Sequence, residues 1–264
     1  MPRKPRLFIP GHPHHIVARG HNRDPIVFRK EDYRIFIEFL DCAIARYGVA
    51  LHAWVLMTNH THLLVTPGDD QGIPRSMQWL CSRYASYFNK FNSRSGSIWE
   101  GRYKPSLVDT EKYLLACYRY IEMNPVRAGI VVTPAAYPWS SYRQNAGLTS
   151  EGVGANAPTP NLNLPRLTPH PLYTDLGRSD VLRCANYRSL FGEVLDPQTL
   201  AEFRRAINLG VGALTPTPDS DPCVNRRSAK ARRSGAAGRR PCRQEVMIPR
   251  TSATALSRSS LMTR

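Results

Sequence analysis

The chain has 264 residues, 42% of them apolar, which is enough for one substantial core; no apolar run approaches the roughly 20 residues a membrane-crossing helix needs. Its formal net charge of +16 points to a polyanionic partner, nucleic acid ahead of an anionic membrane surface. Six cysteines, at 42, 81, 117, 184, 223 and 242, include no C-x-x-C pair, which argues against a zinc ribbon and a disulfide scaffold, and the start MPRKPRLFIPGHPHH has no apolar signal segment, so the cytoplasm is the expected location.

The charge is unevenly spread. Residues 1–150 hold 19 Lys/Arg against 11 Asp/Glu, residues 151–221 hold 6 against 8, and residues 222–264 hold 11 against 1. Along the chain, His14 to Gly20 (HHIVARG) reads as a short strand. Arg29 to Tyr47 is a helix with Phe36, Phe39, Leu40, Ile44 and Tyr47 at helical spacing, closed by Gly48. VALHAWVLM (49–57) and HTHLLV (60–65) form a hairpin around Thr58–Asn59. After the loop PGDDQG (67–72), a second helix runs from Ile73 to Phe91, and WEGRYKPSLV (99–108) is a fourth strand with Pro105 near an edge. A third helix is EKYLLACYRYIEMN (111–124).

The order β-α-β-β-α-β plus one helix predicts an α+β fold, a ferredoxin-like split βαβ sheet with one face packed by helices and the other free to carry chemistry. The domain organisation expected is a front domain over 1–148, a Pro- and Asn-rich linker over 149–171, a short helical appendage over 172–214, and a disordered basic tail over 215–264. In the appendage, Asp196 and Pro197 read as N-cap and first residue of a last helix through Asn208.

The stretch MTNHTHLLV (57–65) places His60 and His62 two residues apart in a strand, hence on one face and close enough to share an ion. Two imidazoles do not complete a metal site. The segment YRYIEMNPVRAG (118–129) offers more: Tyr120 and Asn124 share a helix face, with a phenol one turn from an amide oxygen suited to Mg²⁺ or Mn²⁺. Asn124-Pro125 also has a rival reading as a helix cap. Tyr118, with Glu122 four residues on, and Tyr113 are competing phenols.

The combination of NHTHLL with YRYIEMNPVRAG resembles the IS200-like single-tyrosine transposases of the HUH nuclease superfamily, most closely their REP-associated tyrosine transposase branch. RGHNRDPIVF (19–28), SIWEGRYK (97–104), YPWSSYR (137–143) and LTPHPLY (167–173) extend the likeness over residues 12–208. Thr61 departs from the bulkier apolar residue usual between the histidines, and Asn124 stands where mobile relatives usually carry Gln.

The resemblance implies His60 and His62 as metal ligands for Mg²⁺ or Mn²⁺, Tyr120 as nucleophile and Asn124 as third ligand. It also implies single-stranded or hairpin DNA as substrate, cleaved and rejoined through a 5′-phosphotyrosine. Mobile relatives share sites in a dimer, so monomer and homodimer both stay open. DNA contacts are expected from Arg83, Tyr87 and Lys90 on the second helix and from Arg102 and Lys104, where cations interleave with aromatics. Arg127 is expected to meet backbone or a carboxylate, and the other histidines, His15 among them, to be structural or superficial. The alternative function is a domesticated protein that binds REP-like hairpins without chemistry.

Overall fold

A computed structural model describes residues 8–108, 111–148, 164–192 and 195–209, all within one unit spanning residues 1–217. Most of the expected linker and the whole of the expected basic tail lie outside the described residues. The elements, in chain order, are β1 (His14–Arg19), α1 (Lys30–Arg46), β2 (Val49–Leu56), β3 (His60–Pro67), α2 (Gly72–Phe91), β4 (Lys104–Leu107), α3 (Glu111–Glu122), α4 (Asn124–Arg127), α5 (Tyr142–Asn145), α6 (Pro171–Thr174), α7 (Asp180–Ser189) and α8 (Pro197–Leu209).

The four strands form one antiparallel sheet in the order β2-β3-β1-β4, the ferredoxin-like arrangement expected from the sequence. Side-chain parity then decides what each face carries. Leu63 and Val65 of β3 point toward Leu40 and Ile44 of α1 and Met77 and Leu80 of α2. Their neighbours His60 and His62 point to the other face. That second face is not bare: α3 packs on β2 and β3, and α8 on β4. Coverage on both sides explains why nearly every side chain of β2 is buried and why VALHAWVL lacks a polar alternation.

Two boundaries differ from expectation. The fourth strand is paired only over Lys104–Leu107; Trp99 makes an isolated bridge to Gly20, and Gly101, at φ 153°, turns the chain between them. The third helix stops at Glu122. Pro125 has no N–H to give to a carbonyl one turn back, so a separate short turn, α4, begins at Asn124. Cys42, Cys81 and Cys117 fall in helical patterns that would make them small core residues; Cys117 is buried and Cys81 half-buried, but Cys42 is exposed on α1.

Gly20 follows β1 and leads into a tight turn in which Asn22 and Arg23 both have positive φ (51° and 63°). A Cβ on Gly20 would sit 2.2 Å from the Asp24 carbonyl oxygen and 2.9 Å from Ile26 Cγ2. Backbone cannot yield as a side chain does, so Gly20→Ala is expected to cost about 1–3 kcal/mol, read as a drop in the midpoint of denaturant unfolding at unchanged slope.

Candidate active site

His60, His62, Tyr120, Asn124, Arg19, Arg127 and Arg204 line one open cleft of about 330 Å³. Three elements deliver them. β3 presents the histidine pair, with ring centroids 4.9 Å apart at 82°. The C-terminal turn of α3 presents Tyr120, whose ring centroid is 5.8 Å from that of His62. Asn124, the first residue of α4, makes a side-chain hydrogen bond with His60. The cap of α4 is Met123, and no side chain caps it, so the Asn124 amide faces the histidine. The break at Pro125 thus keeps Asn124 one turn beyond Tyr120 while redirecting the chain into the Arg127 turn.

Tyr120 is only 6% exposed, but it faces the imidazoles. Its ring stacks on Phe203 of α8, centroids 4.9 Å apart at 24°, and the Arg127 guanidinium lies 4.2 Å from its centroid. Arg127 also donates to the Tyr120 carbonyl oxygen at 2.6 Å, the backbone pairing expected of it. Burial raises the phenol above its ordinary pKa, opposed by the positive charges of Arg127, Arg204 and Arg19. The competing phenols are engaged elsewhere. Tyr118 is buried and stacks on Tyr173, while the Tyr113 hydroxyl donates to Glu202. Glu122 is sealed in the core, bonded by Ser141, Asn145 and Tyr187.

The histidines are held neutral. Burial pushes His60 down to about 4, helped by Arg19 and opposed by the Asn124 bond. Burial likewise drives His62 well below its ordinary value, with His60, His15 and two arginines adding to the effect. A neutral imidazole is the form that binds a metal. His60 Nδ1 bonds to Asn59 Oδ1 at 2.6 Å and His62 Nδ1 to His15 Nε2 at 2.9 Å, so both Nδ1 atoms are engaged, which leaves His60 Nε2 for Asn124 and His62 Nε2 for a ligand. Among the described residues no three His, Cys, Asp or Glu side chains form a metal cluster. The third donor is instead an amide oxygen, and two imidazoles with one hard oxygen fit a divalent cation of the Mn²⁺ or Mg²⁺ kind.

Arg102 and Lys104 line a small adjoining hollow of about 50 Å³ with Arg19 and Glu100, so these two expected DNA contacts neighbour the cleft through Arg19. Arg83, Tyr87 and Lys90 do not meet it: α2 covers the opposite face of the sheet. Arg83 and Lys90 are exposed there, and Arg83 lies over Trp79. The Tyr87 hydroxyl donates to Asp32 Oδ1 at 2.9 Å, tying α2 to the start of α1. Sequence reasoning missed three residues of the site. Arg19 and His15 come from β1, and Arg204 from a helix far along the chain. Only Arg19 carried a signal, its place in RGHNRD.

The site thus sets paired strand histidines of a ferredoxin-like sheet against a helix tyrosine. Residues 10–124 match the family described as "Transposase IS200 like", a stretch that contains both histidines and Tyr120 and ends on Asn124. The resemblance read from NHTHLL and YRYIEMNPVRAG is borne out as a match to this family over residues 10–124. Among solved structures it is similar to a REP-associated tyrosine transposase bound to a REP hairpin, 18% identical, covering 64% of this chain and 99% of that one with a TM-score of 0.47. It is also similar to a candidate transposase from Deinococcus radiodurans R1, 20% identical over 46% of this chain and 95% of that one, with a TM-score of 0.33. No curated protein matches the chain. No helix among the described residues is long and apolar enough to cross a membrane.

Proposed function

We propose that the protein is a metal-dependent tyrosine transposase that nicks and rejoins single-stranded or hairpin DNA. The observation that carries this reading is the meeting of Tyr120 with His60, His62 and Asn124 in one arginine-lined cleft. A divalent cation held by the two Nε2 atoms and the Asn124 amide oxygen would polarise the scissile phosphate and offset charge in the transition state. Tyr120 Oη attacks phosphorus, the bond from phosphorus to the 3′ oxygen breaks, and the leaving strand takes a proton to become a free 3′-OH. The 5′ side stays bonded to Tyr120 until a 3′-OH reverses the step.

Arg127 and Arg204 favour the phenolate over the phenol, and with Arg19 they attract the phosphate backbone. Phosphodiester cleavage at a buried phenol calls for a flexible strand that can enter the cleft, which selects single-stranded or hairpin ends over an unbroken duplex.

The test is a labelled single-stranded oligonucleotide ending in a hairpin, incubated with the protein in Mn²⁺ or Mg²⁺ and run under denaturing conditions. A covalent adduct that disappears with EDTA, and with His60→Ala or His62→Ala, is expected. An adduct that resists EDTA removes the metal from the mechanism. Hairpin binding with no adduct in either metal favours the alternative, a hairpin-binding protein without chemistry, a reading supported by the 6% exposure of Tyr120 beneath Phe203.

A further inference from the structure

His60 and His62 are oriented by different kinds of partner. His60 Nδ1 faces Asn59 Oδ1, and the Asn59 amide is itself fixed, because its Nδ2 donates to the Arg23 carbonyl at 2.9 Å. An amide oxygen only accepts, so His60 carries its proton on Nδ1 and keeps the lone pair of Nε2, on the Asn124 side of the ring, whether or not a cation is bound. His62 has no such fixed partner. Its Nδ1 meets His15 Nε2 at 2.9 Å, and a ring nitrogen can either donate or accept. The two rings lie within 18° of one plane with centroids 5.1 Å apart, so they meet edge to edge and share a single hydrogen.

The outer nitrogen of the pair breaks the tie. His15 is 1% exposed, and its Nδ1 is buried with no hydrogen-bond partner. The Tyr120 and Phe203 rings stand edge-on to it, with centroids 5.9 Å and 6.5 Å away. A bare lone pair is better tolerated in such surroundings than a stranded N–H. The favoured arrangement without a cation therefore has His15 Nε2–H donating to His62 Nδ1, which leaves the His62 proton on Nε2, the atom that must coordinate.

We propose that His15 is a positioning residue that sets the tautomer of His62, and that binding of a divalent cation reverses the hydrogen bond between the two rings. On binding, the His62 proton moves from Nε2 to Nδ1 and donates to His15 Nε2, while the His15 proton moves from Nε2 to Nδ1. Each ring keeps one proton, so the exchange is balanced and releases none. His62 is then a conditional ligand beside a fixed one, His60. This inference rests on the reading of His60 and His62 as metal ligands.

The test uses the full chain without DNA, so the chemistry of Tyr120 does not enter. Histidine ¹⁵N shifts would be read in the metal-free protein and again with Mg²⁺, and Mn²⁺ affinity would be titrated by electron paramagnetic resonance. The expected result is His15 and His62 as Nε2–H tautomers without metal, both as Nδ1–H with it, and His60 as Nδ1–H throughout. His15→Phe is expected to weaken Mn²⁺ binding by roughly 10–100-fold, and His15→Gln, whose amide oxygen accepts the His62 proton, to restore most of it. Cation binding with His62 already an Nδ1–H tautomer beforehand, or with His15→Phe binding as tightly as the parent, overturns the inference but leaves the metal site standing. Absence of any cation binding removes the metal site itself. Should His15→Phe fail to fold, the tautomers of the parent protein still decide.

Discussion

Tyr120→Phe is expected to abolish the covalent DNA adduct, lowering its rate of formation by about 10³-fold or more, while hairpin affinity and thermal stability stay near those of the parent. The selectivity of that effect comes from the packing. Phenylalanine keeps the ring that stacks on Phe203 and the face that receives the Arg127 guanidinium 4.2 Å from its centroid. What is lost is one oxygen in the cleft shared with His60, His62 and Asn124. A denaturing gel with labelled oligonucleotide measures the adduct, and a thermal melt checks the fold. Tyr118→Phe, a change on the same helix but beneath Tyr173 and Tyr187, is the matched control and retains the adduct. If the adduct survives Tyr120→Phe, the nucleophile lies elsewhere and the assignment of the cleft fails.

The second large effect concerns stability and lies two residues beyond Tyr120. Glu122 is fully buried at the end of α3, where its carboxylate accepts from the Ser141 hydroxyl, from Asn145 Nδ2 at 2.8 Å and from the Tyr187 hydroxyl at 2.6 Å. It therefore pins the helix that carries Tyr120 to α5 and α7. Burial outweighs the three donors and pushes the carboxyl up to about 7 from an ordinary 4.5.

The folded state thus binds the proton more tightly than the unfolded chain. Its stabilising share is complete below about pH 4.5 and is lost as pH rises through about 7, for a total near 3 kcal/mol. Denaturant unfolding followed from pH 5 to pH 8 is expected to show this decline in the parent and to lose it in Glu122→Gln, which keeps a polar partner without a charge. Glu122→Ala strips the buried Tyr187 hydroxyl of its acceptor and leaves Ser141 and Asn145 only their longer bonds to the Trp54 and His52 carbonyls, and is expected to cost about 2–4 kcal/mol at every pH in that range. A parent whose stability is flat between pH 5 and pH 8, like that of Glu122→Gln, would show that Glu122 stays ionised or protonated throughout.

Much of the cleft was legible from local spacing. The i, i+2 pair His60 and His62 landed on one face of β3, and Tyr120 and Asn124, four residues apart, reached the same cleft although the helix divides between them, because the pleat and the helical turn are set within a few residues. The same local rules placed α1, α2 and the β2–β3 hairpin almost to the residue. They failed where a neighbour's backbone decides the geometry: β4 was shorter than its β-prone composition suggested, and the helix expected through Asn124 divided at Pro125. Exposed Cys42 showed the same limit, since helical spacing alone does not say how much of a helix surface is covered.

By itself, then, the amino-acid order determined the fold class, the histidine pair, the tyrosine and the family resemblance, all of which rest on short-range periodicity and on motifs a few residues long. Only the tertiary structure decided which groups surround them. The pairing of β1 with β3, His15 opposite Leu64 and Val17 opposite His62, is what brings a buried imidazole against His62 and Arg19 beside His60. The packing of α8 over β4 brings Phe203 onto Tyr120 and Arg204 to the cleft, and the packing of α5 and α7 makes Glu122 a core pin. Strand register and helix docking are settled by burial summed over residues far apart along the chain, and no window of a single segment contains that sum.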